Sequence, residues 1–510
     1  MSSILLIHPP VAKLGEPPAG ITALAGCLQP HGIDCTLLDA NLEALLFLIG
    51  RQADARQDTR SDRALRHRDA NLAAVRTPEL YRHPGRYHKA VHELNYALQL
   101  AAHSHLGVSI SLTNYQDEHH NPLAGNDLLN TAETFQNSLF FPWFCSRLPP
   151  LLDAVKPLYI GISLCYLSQA LPTFALLGFL KDRYPEARLI LGGGLITSWM
   201  SNPRWHNPFA GLVDHCIAGP GEEPLLRLFS AQKTKTHQPP VYTGLPLSDY
   251  LAPGPILPYA ASRGCYWNRC SFCPETAEQS RYQQTPPAIV LDHLHSLCRQ
   301  LQPVLIHFLD NAISPLLLQT LAEQPPGVSW YGFTRIHEQL ADPDFCRQLR
   351  ASGCVLLKLG LESGSQEVLD TMHKGIHLEL ISRVLAALQA AGIATYVYLL
   401  FGTPAESLDE ARQTMEFTLR HHAAITFLNL AIFNMPITSD EAHRLPGTIF
   451  SESNLSLYKD FVHPRNWDRR AVRIFLDREF RRQPQIAAIL RRDPPFFSSN
   501  HAAFFTENYP

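Results

Sequence analysis

The chain has 510 residues, of which 45% are hydrophobic and 17% charged, a balance that fills large cores and excludes an intrinsically disordered polymer. At about 150 residues per domain, this length corresponds to about three domains or to two large ones. Lys and Arg number 43 against 46 Asp and Glu, a net charge of −3, so the concentrated positive charge that a nucleic-acid or anionic-membrane partner demands is missing.

No uninterrupted apolar run reaches ~18 residues, so no transmembrane helix is expected. The N-terminus, MSSILLIHPP, lacks a basic start and stops at two prolines, so it does not read as a secretory signal and a cytoplasmic location is expected. Residues 3–8 form a short apolar run that meets Pro9-Pro10, the pattern of a buried parallel strand. A helix is predicted from about Ala19 to Leu28, with Gly32 marking its end, and a second strand over 35–41 with Asp39 at its tip. This strand–helix–strand unit is the seed of a Rossmann-like sheet.

Residues 50–150 are rich in Arg, His, Asp and Gln and read as a mostly helical insertion over one side of the sheet or the mouth of a site. The α/β rhythm then returns. It gives a strand over 158–164, an amphipathic helix over 168–185, a strand over 187–194 running into Gly192, Gly193 and Gly194, and a strand, turn and helix over 212–229. Residues 1–232 therefore form one open α/β domain, and the Pro-, Thr- and Gly-rich stretch 233–255 is its linker. A second rhythm fills 256–440. Strands are predicted at 258–263, 303–310, 328–335, 354–361, 394–401 and 425–433, and helices at 286–301, 314–323, 342–352, 365–372, 378–391 and 406–421. Six βα repeats fit a partial or full βα barrel. The aromatic, Arg-rich tail 441–510 reads as a helical extension.

The chain has 11 cysteines, an odd number without an export signal, which favours reduced thiols or metal ligands over a disulfide framework. Three of them, Cys265, Cys270 and Cys273, fall within nine residues as C-x4-C-x2-C. Thiolates select zinc or iron–sulfur clusters. A structural zinc needs a fourth ligand at finger spacing, and none is near. Three ligands on a loop after a strand fit a [4Fe–4S] cluster with one iron left open. Three buried free thiols are the alternative, and that is the reading of the other eight.

This segment resembles the cluster loop of radical S-adenosylmethionine (SAM) enzymes, with one residue more between the first two cysteines than the common pattern has. Phe272 takes the place of the aromatic that packs near the SAM adenine in that family. HFLDNAI (307–313) is similar to the family's second strand, keeping Asp310 where an acidic pair is frequent. Arg335 ends the third strand, and LKLGLESGSQEVLDTMHKG (357–375) resembles the fourth, with Glu362, Ser363 and Gly364 in place of the SAM-facing Glu-Ser-Gly. YVYLLFGTPAES (396–407) resembles the fifth strand and its Gly402–Pro404 turn. Glu362 with Arg335 as a structural ion pair, and Asp310 as the cap of the next helix, are the plainer readings.

The first domain resembles the cobalamin-binding domain that precedes the barrel in one branch of these enzymes, through ILLIHPP, EPPAGITALAGCL, ISLCYLSQAL, LILGGGLITSW and GPGEEPLL. A glycine run after a parallel strand lets a flat ring or nucleotide tail approach the backbone, and Gly192, Gly193 and Gly194 are so placed; a tight turn is the alternative. Asp117 and His119 give part of the cobalt-ligand motif D-x-H-x-x-G, but Pro122 stands where the glycine should, and no histidine ligand to cobalt is assigned. The resemblance implies a [4Fe–4S] cluster on Cys265, Cys270 and Cys273, SAM at its open iron, cobalamin in the first domain, and cleavage of SAM to a 5′-deoxyadenosyl radical. It further implies C-methylation of an unactivated carbon in a small-molecule or peptide substrate, with an electron donor such as flavodoxin or ferredoxin, and no nucleic-acid or membrane partner. A non-methylating radical SAM enzyme without cobalamin, a non-catalytic cluster or cobalamin sensor, and a zinc protein are the competing readings.

Overall fold

The computed structural model describes residues 3–51, 58–231, 237–449, 453–495 and 501–508. Parts of the expected insertion (52–57), linker (233–236) and tail (450–452, 496–500 and 509–510) lie outside the described residues. The chain divides into two compact units, one built mainly from residues before 257 and one from most of the remainder, including 458–493 and 501–508.

In the first unit, five parallel strands are ordered Asp34–Asp39, Ser3–His8, Tyr159–Ser163, Arg188–Gly192, His215–Cys216. Every residue of Ser3–His8 is buried, as a strand covered on both faces must be. The chain runs outward from the first strand in one direction, then returns to its other side, so the order reverses between Ser3–His8 and Tyr159–Ser163. Open α/β sheets bind ligands at such a switch point, outside the carboxyl ends of the strands. The long excursion between the second and third strands holds the helices Thr59–Ala74, Pro84–Ala101, Gly125–Glu133 and Phe141–Val155. It also holds an antiparallel hairpin, Val108–Ile110 against Tyr115–Asp117, which the helical expectation did not include. Three-residue strands in a polar segment leave too short an alternation to read.

The second unit is built on six parallel strands in sequential order: Ile256–Tyr259, Leu305–Ile313, Trp330–Thr334, Cys354–Glu362, Ala394–Phe401 and Phe427–Ile432. The sheet has two edges, so it is a partial barrel. The expected α/β fold class is borne out, and the fifth strand spans the residues expected for it. One face is largely apolar, with Leu357, Leu359, Val397 and Leu399 almost completely buried, and the connecting helices pack there. The tail adds helices Arg469–Phe475 and Pro484–Leu490, and also a small antiparallel sheet of Met435–Pro436, Tyr458–Phe461 and Gly447–Ile449.

The tail is fastened to the turn after the fifth strand. His463 Nε2 donates to Thr403 O (2.9 Å), Arg465 Nη1 to Ala405 O (2.8 Å) and Trp467 Nε1 to Glu406 Oε2 (2.8 Å). Glu406 is fully buried and also accepts from Gly402 N. Burial pushes its carboxyl up to about 8, against the opposing effect of those two N–H donors.

Two outcomes are expected. A Cβ at Gly178, inside helix Ala170–Arg183, would fall 1.9 Å from Ala132 O. Gly178→Ala therefore loses about 2 kcal/mol by overpacking, although alanine is the better helix former. An unchanged or raised unfolding midpoint would contradict this. Between the ordinary carboxylate range and about 8, the folded chain keeps a proton on Glu406 that the unfolded chain has released. Stability relative to Glu406→Gln therefore falls as pH rises through that window and levels off above it. Denaturant titrations across the window check this, and a pH-independent difference would refute it.

Candidate active site

The three clustered cysteines follow the first barrel strand. Gly264 opens their loop at φ +69°, where a Cβ would lie 2.8 Å from Arg281 O, so only glycine fits without a shift. Asp310 secures the base of this loop from the second strand. Its two oxygens accept from Ala261 N (3.0 Å) and from the Ser262 hydroxyl, and it is buried. The next helix is capped instead by Ser314, whose side chain accepts from Leu317 N. The residue that lengthens the gap between Cys265 and Cys270 is accommodated at Asn268, which takes φ +44°, a left-handed conformation that asparagine tolerates better than most side chains.

Cys270 is buried, while Cys265 and Cys273 are half-buried. Burial raises the Cys270 thiol, opposed by the positive charges of Lys374 and Arg335. It pushes Cys273 up to about 11, opposed by backbone N–H groups of Glu275 and Thr276. Among the described residues, no three His, Cys, Asp or Glu side chains converge into a one-ion site. The donor set suits an iron–sulfur cluster, in which each thiolate takes its own iron.

Around the loop the barrel places a compact group of charges. Arg335, just past the third strand, is buried and donates from Nη1 to Cys270 Sγ (3.8 Å) and from Nη2 to Lys374 O. Its guanidinium lies 4.4 Å from the centroid of the Trp267 ring, and Trp267 Nε1 donates to His373 O (2.9 Å). Glu362 ends the fourth strand at φ +67° and pairs with Lys374 Nζ at 2.7 Å. A Cβ at Gly360 would lie 2.5 Å from Glu362 Oε1, and one at Gly375 would lie 2.1 Å from the Trp267 ring. These two glycines are spaces that the ion pair and the indole occupy. The Lys374 ammonium also lies 5.5 Å from the Phe272 ring, which packs on Phe433, Met435 and Ala442.

Cys270, Arg335, Glu362 and Phe272 are thus brought into one neighbourhood, with Lys374 as the group they share. Glu362 pairs with Lys374 rather than with Arg335. Ser363 and Gly364 face the helix Leu408–Arg420: the Ser363 hydroxyl lies 3.2 Å from Thr414 Oγ1, and Gly364 N donates to the same atom (2.9 Å). Trp267 and the ion-pairing role of Lys374 were not singled out in the sequence, although the additional residue in the cysteine spacing points to the segment that holds the indole.

In the first unit, Gly193 takes φ +107° and a Cβ there would lie 2.4 Å from Leu164 O, so the turn itself requires glycine. At Gly192 and Gly194 a Cβ would meet nothing nearer than 3.4 Å and 3.7 Å. Their smallness is not demanded by the turn. Gln169, also missed in the sequence, ties the switch point together. Its Nε2 donates to Pro9 O (2.6 Å), and its Oε1 accepts from Cys165 N and Tyr166 N (3.0 Å each). Asp39 caps its helix through Leu42 N and accepts from the Tyr250 hydroxyl (2.6 Å). Asp117 accepts from His119 N and pairs with the His120 ring, holding its own hairpin.

Residues 259–418 match the Radical SAM superfamily. The chain is 28% identical over 224 residues to bacteriochlorophyllide d C-12(1)-methyltransferase of Chlorobaculum tepidum, covering 42% of this chain and 45% of that protein. It is 26% identical over 161 residues to anaerobic magnesium-protoporphyrin IX monomethyl ester cyclase of Rubrivivax gelatinosus, covering 30% and 28%. The chain thus spans less than half the length of these curated relatives. Among solved structures it resembles the radical SAM methyltransferase TsrM of Kitasatospora setae with cobalamin and a [4Fe-4S] cluster bound (TM-score 0.55, 16% identity, 92% of this chain and 85% of that one). It also resembles the cobalamin-dependent radical SAM enzyme OxsB (TM-score 0.60, 12% identity, 94% and 67%). Residues 259–418 are therefore a radical SAM domain, carried in a fold that this chain shares with cobalamin-dependent radical SAM enzymes.

Proposed function

We propose that this chain is a cobalamin-dependent radical SAM enzyme and that its reaction is methylation of a carbon on a small-molecule or peptide substrate. The observation that carries the reading is the three-thiol loop set against Arg335 and the Lys374–Glu362 pair at the carboxyl end of a six-stranded half-barrel. When bound, a [4Fe–4S] cluster supplies the electron that cleaves SAM, and cobalamin supplies a methyl carrier.

The chain's own residues define where this happens. Cys265, Cys270 and Cys273 would hold three irons as thiolates. Arg335 and Lys374 favour the thiolate form of Cys270, against the cost of burial, so iron binding and thiol deprotonation are coupled. Glu362 and Lys374 present a carboxylate and an ammonium 2.7 Å apart, which complement the amino and carboxylate groups of a bound amino acid. Phe272 lines the same neighbourhood with an apolar face. Gly192 and Gly194 would take cobalamin at the carboxyl edge of the first sheet. Asp310 acts as a positioning residue through Ala261 and Ser262. The similarity to a cyclase supports a second reading, radical cyclisation without methyl transfer. Among the described residues no helix is long and apolar enough to cross a membrane. A flavodoxin- or ferredoxin-type donor would deliver the electron.

Anaerobic reconstitution with iron and sulfide should give about four irons per chain and, with SAM and dithionite, 5′-deoxyadenosine. Cys270→Ala should lose both, while added cobalamin should remain with the wild-type chain on gel filtration. Neither iron nor 5′-deoxyadenosine in the wild type would overturn the reading, and iron with 5′-deoxyadenosine but no retained cobalamin would overturn its cobalamin part.

A further inference from the structure

We propose that Trp267 is a positioning residue: its indole holds the Arg335 guanidinium so that Nη1 donates to Cys270 Sγ, and this contact raises the reduction potential of a cluster carried by the three cysteines. The proposal rests on the reading of the chain as a radical SAM enzyme and adds to it a determinant of how readily the cluster accepts its electron.

The indole comes from the longer gap of the cysteine spacing. Trp267 is the second of the four residues between Cys265 and Cys270, and the residue after it, Asn268, takes φ +44°. The turn that follows the helix Gln366–Thr371 receives the ring. Trp267 Nε1 donates to His373 O (2.9 Å), and Gly375 leaves the space the ring fills, since a Cβ there would lie 2.1 Å from it. The next carbonyl along the same turn, Lys374 O, accepts from Arg335 Nη2. Consecutive carbonyls thus hold the indole and the guanidinium beside each other. Arg335 Cζ lies 4.4 Å from the ring centroid, close enough for a cation–π contact. Arg269 lies 5.2 Å from the same ring but is exposed, where water and salt screen its charge. Arg335 is 8% exposed.

A guanidinium presents its donors in a rigid planar fork. With Nη2 on the Lys374 carbonyl and the indole against the group, Nη1 is directed at Cys270 Sγ (3.8 Å). Without the ring, the bond to Lys374 O alone would have to orient the fork. When the cluster accepts one electron from its donor, no bond is made or broken and its negative charge rises by one. A buried cation whose N–H meets a ligand sulfur stabilises the more negative state, because hydrogen bonds to the sulfurs help to set a cluster's potential. Loss of the indole therefore lowers the potential if the ring acts by positioning Arg335. If the ring acts only as a shield, its loss admits water, which stabilises the more negative state and raises the potential. The sign of the shift separates the two.

The test is a redox titration of the reconstituted full-length protein, followed by electron paramagnetic resonance without SAM. Trp267→Leu should lower the ratio of reduced to oxidised cluster at a fixed potential about tenfold, a shift of about 59 mV for one electron. Trp267→Phe keeps an aromatic face and should restore most of that loss. Gly375→Ala, which drives the ring from its place, should reproduce the fall with the indole still present. Arg335→Met should lower the midpoint at least as far as Trp267→Leu, and combining the two should lower it no further, because the indole acts through the guanidinium. A midpoint that is unchanged or raised in Trp267→Leu, or a double variant that falls by the sum of the single shifts, would overturn the proposal. So would a Trp267→Leu chain that is folded by circular dichroism yet takes up no iron, which would make the indole a support of the loop alone. Wild type with a SAM-responsive cluster and a midpoint insensitive to Trp267 sinks this inference by itself. Wild type that takes up no iron sinks the functional reading together with it.

Discussion

The rim of the half-barrel is organised by one buried guanidinium. Leaving a charge inside a protein without partners is costly, and Arg335 is surrounded instead by a thiol, a backbone carbonyl and the face of an indole. Those three partners come from the cysteine loop and from the turn after the helix Gln366–Thr371. Satisfying one side chain therefore fixes the loop against the turn. The same turn carries Lys374, so the position of its ion pair with Glu362 follows from the position of Arg335. Gly360 and Gly375 belong to this arrangement, because a Cβ at either would collide with the groups the rim brings together.

Electrostatics at the rim pull in two directions. Burial drives the Cys270 and Cys273 thiols towards the neutral form, while neighbouring cations and N–H groups favour the thiolate. Without metal the balance favours neutral thiols, since Cys273 stands at about 11. With metal it is reversed, because a coordinating thiol is deprotonated outright. The chain thus contributes a partly compensated site whose completion needs the positive charge of iron. Glu406 shows the opposite solution on the far side of the fifth strand, where a buried carboxyl is raised into the physiological range and fastens the tail through neutral hydrogen bonds.

Much of this was legible in the sequence, and what was not has a physical reason. The alternation of apolar runs with helical patterns placed the barrel strands within a few residues, because a parallel sheet covered by helices writes its burial into contiguous segments. The cysteine loop was legible from its C-x4-C-x2-C spacing, and Arg335 and Glu362 through the resemblance of their segments to radical SAM enzymes. Contacts between residues distant in sequence were not. Asp310 read as a cofactor-facing acid or as a helix cap, yet its oxygens bind backbone and hydroxyl of the preceding strand, 48 and 49 residues away. Ser363 and Gly364 read as SAM-facing, yet they pack on a helix about 50 residues later. Gln169 carried no motif, and its role exists only once two strand ends lie side by side.

The central claim is that the cysteine loop holds a cluster with one iron open to SAM. Electron paramagnetic resonance of the reduced, reconstituted full-length chain tests it most directly, recorded with and without SAM. A single paramagnetic cluster whose g-values shift when SAM is added, and which disappears when Cys265, Cys270 and Cys273 are all replaced by Ala, is the predicted result. A spectrum that SAM leaves unchanged, or a cluster that survives the triple replacement, would contradict it.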